Sequence, residues 1–337
     1  MKKSEDCPFC DSTAYLEWKN KEVLFRKEAF FVQQFYYKCN LCKEEYTTND
    51  TDNATLLQVH NQYRAKHSIP FVEQIINMRE KYGLPASKMN EVLGLGANSY
   101  TNFEKGDVPS AAIANLLLIA ENPVEFKKMV LRSHDIFSSN AYLILLNKLD
   151  TLINNAAQDV RLAKIDYLNE PVSFNGYRVP NYLKTANLVC LLIDKCKNDF
   201  NDRMKLNKLL FYTDFLHYKN NLSSITGLSY RAIQHGPIPS CYSNLLTYLE
   251  EENFIQSTYQ KNSNGGAVEI FTANNGFDPS VFTESELETI GHICKLFKNT
   301  SSWELRNQSH EETGWLDNQL NRNLIDFQRY AFDLKLN

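Results

Sequence analysis

Cys7-Pro-Phe-Cys10 and Cys39-Asn-Leu-Cys42 set four thiols in two chelating pairs, with 28 residues between the pairs. Two such knuckles supply the four thiolates of a tetrahedral zinc site. Four sulfurs fill the coordination sphere, so no position remains for a substrate or an activated water. A Zn2+ ion held this way folds the segment, because binding free energy at a closed site becomes folding free energy. One structural zinc on Cys7, Cys10, Cys39 and Cys42 is therefore expected. Cys190, Cys196, Cys241 and Cys294 are scattered along the chain and read as reduced core residues.

A second group of residues has the chemistry of base recognition. Asn98 and Asn102 fall one helical turn apart, with Ser99, Tyr100 and Thr101 beside them and Lys105 a further turn on. Asparagine pairs bidentately with adenine in the major groove, and residues at the start of a recognition helix are those that reach base edges. The plainer alternative is that these asparagines solvate an exposed helix.

Other motifs fail on spacing. His310-Glu-Glu-Thr-Gly314 has glycine where a zincin needs its second histidine. Gly94-Leu-Gly-Ala-Asn-Ser lies between helices and has no Gly-Lys-Ser/Thr, so it is no phosphate cradle. No Gly-x-Ser-x-Gly elbow occurs. His235-Gly-Pro reads as a turn before it reads as a catalytic histidine. No nucleophile, base and stabiliser assemble, and a non-enzymatic protein is expected.

These residues need elements to hold them. Tyr15–Trp18, Glu22–Phe25 and Phe30–Tyr37 are aromatic and β-branched, which predicts a small β-rich zinc ribbon within residues 1–50. Residues 51–68 read as a helix. Short helices then follow, divided by Gly83 and by the Gly94-Leu-Gly96 turn, with Ala97–Lys105 closed by Gly106. That is the sequence form of a helix-turn-helix. Pro109 to about Asn169 is leucine-rich and helical, and Pro171–Pro180 with Gly176 reads as a linker. Helices are expected over Tyr182–Cys196, Met204–Tyr218, Tyr242–Glu251, Thr283–Lys298 and Trp303–His310. A β-hairpin is expected over Phe254–Phe271, split by Gly265-Gly266. Met204–Tyr218 is apolar nearly all round and should be buried, with Leu206, Leu209, Leu210 and Phe215 in the core. The fold class is mainly α with small β parts. Its divisions are 1–68 (zinc domain and connecting helix), 69–125 (helix-turn-helix), 126–179 (connector and linker) and 180–337.

Composition agrees with a folded chain of two or three domains: 337 residues, 43% hydrophobic and 23% charged. The start of the chain has no apolar h-region, and no apolar stretch approaches a membrane span, so a cytoplasmic protein is expected. Net charge is −4, against the basic balance of a protein that coats nucleic acid. Four basic and four acidic residues cancel over 70–106. DNA binding would rest on few phosphate contacts, base readout and dimerisation.

Two resemblances cover most of the chain. The zinc knuckles followed by Leu93-Gly-Leu-Gly-Ala-Asn-Ser-Tyr-Thr-Asn-Phe-Glu-Lys-Gly106 resemble the MqsA/YgiT-type antitoxins. Asn102 stands where that family carries a DNA-contacting arginine, and Asn98 matches. Lys205-Leu-Asn-Lys-Leu-Leu-Phe-Tyr-Thr-Asp-Phe215, His235-Gly-Pro-Ile-Pro and Leu305-Arg-Asn-Gln-Ser-His-Glu-Glu with Trp315 resemble the SocA-like, or Panacea, domain (also described as GepA-like). That resemblance implies a mostly helical, non-catalytic domain that neutralises a toxin. Tyr230, His235, His310 and Trp315 are the candidate toxin contacts, because aromatic and turn residues in irregular segments often anchor interfaces. The leading expectation is a type II antitoxin that binds a cognate toxin and, as a homodimer, its own operator. The alternatives are a transcription regulator with a sensing domain and an adaptor that delivers a toxin to a protease.

Overall fold

The computed structural model describes residues 2–155, 168, 170–196, 201–261, 266–274 and 276–336. The chain forms two compact units that divide between Val160 and Arg161, and it is mainly helical with small β parts.

The first unit opens with an antiparallel meander: β1 (Ser4–Asp6), β2 (Thr13–Phe25), β3 (Glu28–Cys39) and β4 (Glu45–Tyr46). β2 and β3 form a long hairpin from Ala14↔Cys39 to Phe25↔Glu28. Arg26 and Lys27 make its two-residue turn, both at positive φ (48° and 70°). This turn type matches the twist of the strands but costs energy for residues with a Cβ. Arg26 offsets that cost by donating to the carbonyls of Val108 (2.7 Å) and Pro109 (3.2 Å).

Helix α1 (Asn49–His67) starts at the Thr48/Thr51 capping box and lies along the free edge of β3. Gln58 accepts from the Gln33 amide and donates to the Gln33 carbonyl, and Gln62 donates to the Phe31 carbonyl. A strand edge that would otherwise invite pairing is thereby covered.

Beyond the ribbon come α2 (Val72–Tyr82), α3 (Ala86–Leu93), α4 (Ser99–Glu104), α5 (Ala111–Glu121), α6 (Pro123–Arg132) and α7 (Ser139–Asn155). Gly83 and Gly94 end α2 and α3 in the left-handed conformation. The helices share one core, with Ile75, Tyr82, Met89, Tyr100, Leu117, Phe126, Val130 and Leu149 all buried in it. Phe126 stacks on Tyr82 with ring centroids 3.9 Å apart. The stretch after residue 125, set apart in the sequence as a connector, thus belongs to the core of the preceding helices through Leu152. The helical expectation over 156–167 and at 169, and Gly265 of the hairpin turn, lie outside the described residues.

The second unit is built around α9 (Arg203–Asn221), which follows α8 (Tyr182–Lys195). Thirteen of the nineteen α9 residues are buried, including Leu206, Leu209, Leu210 and Phe215. The hairpin of β5 (Tyr230–Ile233) and β6 (Gly236–Pro239) packs on α9. Then come α10 (Tyr242–Glu251), the hairpin of β7 (Ile255–Lys261) and β8 (Ala267–Ala273), α11 (Glu284–Phe297) and α12 (Ser302–Ser309). Short helices α13 (Thr313–Leu316) and α14 (Phe327–Tyr330) finish the unit, and Phe327 stacks on Phe215 at 4.0 Å.

Pro171–Pro180 packs into this unit and does not act as a linker. Ser224 bonds through its amide to the Gly176 carbonyl and through its hydroxyl to the Asn175 carbonyl. Gly176 sits at φ 65°, and a Cβ there would meet Ser224 at 2.6 Å. Arg178 and Lys184 converge on the buried carboxylate of Glu286. The reason is chemical: proline and glycine punctuate loops but also build tight buried turns.

Candidate functional site

The four cysteines come together because β3 carries Cys39 back beside the first knuckle. The Ala14↔Cys39 pairing fixes the register, and Cys7 and Cys39 are both buried. The four sulfurs lie within 4.8 Å of one another, with Cys7–Cys42 at 3.7 Å and Cys10–Cys39 at 3.4 Å. Sulfurs around a tetrahedral zinc stand about 3.8 Å apart, given Zn–S bonds of about 2.3 Å, so the group is compatible with that ion. The Leu41 amide donates to Cys39 Sγ at 3.4 Å, as amides behind metal thiolates do. Burial alone would raise the Cys39 thiol. The amides of Cys42 and Leu41 and the neighbouring Cys10 outweigh it and bring the thiol down to about 6.

The second candidate group sits on α4. Asn98 precedes the helix at φ 63° and is exposed, as are Asn102 and Lys105. At i, i+4 and i+7 these three fall on one face, with Ser99 half-buried beside them. Tyr100 does not join them. It is fully buried, its amide bonds Asn90 Oδ1 and its hydroxyl donates to the Ile75 carbonyl, so it serves the core. Arg79 is engaged with Glu104 at 2.5 Å, pinning α2 to α4.

In the second unit the three sequence motifs meet. Lys208 on α9 reaches the β5–β6 hairpin, donating to the Pro237 carbonyl at 2.8 Å. Burial pushes its ammonium down to about 7. Gly236 allows this approach, since a Cβ there would meet Lys208 Cε at 2.7 Å. His310 lies flat on Trp315 with ring centroids 3.9 Å apart, and Trp315 Nε1 donates to the Ile233 carbonyl at 2.7 Å. His235 is exposed in the hairpin turn.

Tyr230, expected at the surface, is wholly buried, and its hydroxyl donates to Asp214 Oδ2 at 2.7 Å. Asp214 also accepts from the Ile225 and Thr226 amides and the Thr226 hydroxyl. Burial raises its carboxyl against these donors. This network ties the centre of α9 to the chain entering β5. Trp315 is likewise mostly buried. Of the four candidate contacts, His235 is exposed and His310 half-buried.

Sequence reasoning passed over Trp303 and Arg306. Their spacing to His310, i, i+3 and i+7, was the available signal.

Residues 206–316, the span holding these motifs, match the family model described as Antitoxin SocA-like, Panacea domain. The second unit resembles an antitoxin domain. The matched stretch runs from α9 through α13 and covers about a third of the chain. No match to the chain is found among the curated proteins. Among the described residues no helix is long and apolar enough to cross a membrane.

Proposed function

We propose that this protein is the antitoxin of a type II toxin–antitoxin pair. The second unit binds and neutralises a cognate protein toxin. The first unit, folded around one Zn2+ on Cys7, Cys10, Cys39 and Cys42, presents α4 to operator DNA. The observation that carries the reading is the Panacea match over residues 206–316. Operator binding is supported by the exposed face of Asn98, Asn102 and Lys105 on a short helix after a glycine turn. Ser99 borders that face. With so little net charge around α4, one copy would hold DNA weakly. A homodimer spanning two half-sites about one helical turn apart supplies the rest. His235 and His310 belong to the toxin-facing side; Tyr230 and Trp315 act behind it, as core.

The test is co-expression of the full chain with the product of the neighbouring reading frame. Restored growth and co-purification are the expected results. A chain that is soluble and folded but neither protects nor binds any neighbouring product would refute the reading. Operator binding is measured separately, by fluorescence anisotropy on DNA from upstream of the gene.

A further inference from the structure

Trp303, Arg306 and His310 share one face of α12 and its cap, and the exposed His235 adjoins them from the β5–β6 turn. The Arg306 guanidinium covers the Trp303 ring at 4.6 Å, and Trp303 is 61% exposed. Two groups in this face are unsatisfied. Arg306 Nε and His310 Nε2 are buried and have no hydrogen-bond partner among the described residues. Arg306 donates from Nη1 to Oδ1 of its neighbour Asn307 at 3.1 Å. Beneath lies Lys208, fully buried, with one bond to the Pro237 carbonyl. No carboxylate pairs with Arg306 or Lys208 among the described residues. Buried donors left unpaired cost free energy, and positive groups gathered without a counter-charge repel one another.

We propose that this face is a binding site for a carboxylate presented by a protein partner, with Arg306 and His310 as its donors and Trp303 as the apolar anchor beside it. Arginine and histidine N–H groups neighbouring each other on one helix face, without an acceptor, suit a carboxylate. A free anion would leave the Trp303 ring uncovered, whereas a protein surface covers both. Tryptophan and arginine side by side are the residues that dominate protein interfaces. Burial, with Arg306, Lys208 and His235 nearby, pushes His310 down to about 4, so its ring is neutral at pH 7. A bound carboxylate selects the tautomer with the proton on Nε2. That the partner is the toxin rests on the antitoxin reading; the site itself does not.

Two measurements on the full chain separate these claims. The first follows the His310 ring by NMR during titration with sodium acetate or inorganic phosphate at fixed ionic strength. Acetate is expected to give a saturable shift that Arg306→Gln abolishes while melting stays unchanged. A response to phosphate alone, or to neither anion, overturns the site. The second measures binding to the neighbouring gene product. Arg306→Gln and Trp303→Ala should each weaken it about tenfold or more, while Tyr259→Ala, on the exposed β7 surface, should not. If the parent chain binds and both α12 variants stay within about threefold of it, the inference fails and the antitoxin reading stands. If the parent chain binds no neighbouring product, the antitoxin reading fails and the acetate titration alone decides the site.

Discussion

Arg178→Met should destabilise the second unit by about 2–3 kcal/mol. Arg178 is 14% exposed and its Nη1 donates to Glu286 Oε1 at 2.6 Å and to the Ile225 carbonyl at 3.1 Å. Glu286 is 1% exposed. Removing one member of a buried ion pair costs about 3–5 kcal/mol when the other is stranded. Here Lys184 still reaches both carboxylate oxygens, at 3.0 and 2.9 Å, and the Thr283 amide bonds Oε2 at 2.9 Å. The loss therefore falls below that range, even with the Ile225 carbonyl losing a donor. At about 2–4 °C per kcal/mol for a unit of this size, melting should drop by about 4–12 °C.

Urea unfolding of the full chain, followed by far-UV circular dichroism and tryptophan fluorescence, measures the difference. Acidity gives a second check. Burial pushes the Glu286 carboxyl up, but Arg178, the Thr283 amide and Lys184 outweigh it and hold it below its usual value. A carboxyl lowered in the folded state stabilises fully above its unfolded pKa, about 4.3, and loses that contribution as pH falls through the folded value. The gap between parent and variant should thus be constant from about pH 7 to 5 and close below about 4. A gap under about 0.5 kcal/mol at neutral pH, or one that widens on acidification, would refute the reasoning. The same contacts bear on function, because a neutralising fragment begun near Val179 would lack them. Growth rescue should require a start upstream of Pro171.

Other expectations follow from the candidate residues. Cys39→Ser should lower zinc from one per chain to near zero by elemental analysis and unfold the ribbon, while second-unit amides keep their exchange protection. Asn98→Ala should cost about 1–3 kcal/mol of preference at one base pair in anisotropy titrations. Asn98→Gly, which suits φ 63°, separates that loss from backbone strain, and equal weakening on all sequences would show a phosphate contact instead. Tyr100→Phe should reduce stability by about 1 kcal/mol and leave DNA affinity per folded molecule unchanged. Tyr230→Phe removes a donor from the buried Asp214 carboxylate and should cost about 1–3 kcal/mol in urea unfolding, with toxin affinity retained by the folded fraction.

Local chemistry made much of this protein legible in its sequence. Cysteine spacing located the sulfur cluster, glycines marked the ends of α2 and α3, and apolar residues all round α9 announced a central helix. Tyr100 and Tyr230 misled because tyrosine carries both a large apolar ring and a polar tip. Whether the hydroxyl meets solvent or a buried acceptor depends on Ile75 and Asp214, which only the fold brings near. Pro171–Pro180 misled for a similar reason: Gly176 marks a turn in either case, and Ser224 and Glu286 decide that the turn is buried. That no carboxylate pairs with Arg306 among the described residues had no sequence signal. It depends on which carboxylates the fold leaves out of reach.

The loop after α4 changes how charge around that helix is counted. Arg64 of α1 donates to the Gly106 and Asp107 carbonyls, and Arg26 at the hairpin tip grips Val108 and Pro109. Burial lowers Arg64, but only to about 10, so it stays charged at neutral pH. Two guanidiniums, one from the hairpin tip and one from α1, thus sit against a loop whose single carboxylate is Asp107. Over residues 70–106 the charges cancel, yet in space two guanidiniums from outside that stretch stand against the loop that leaves α4. A charge count along the helical segment alone leaves both of them out. Folding of the β2–β3 hairpin and α1 therefore bears on the charge beside the loop as well as on the loop's position.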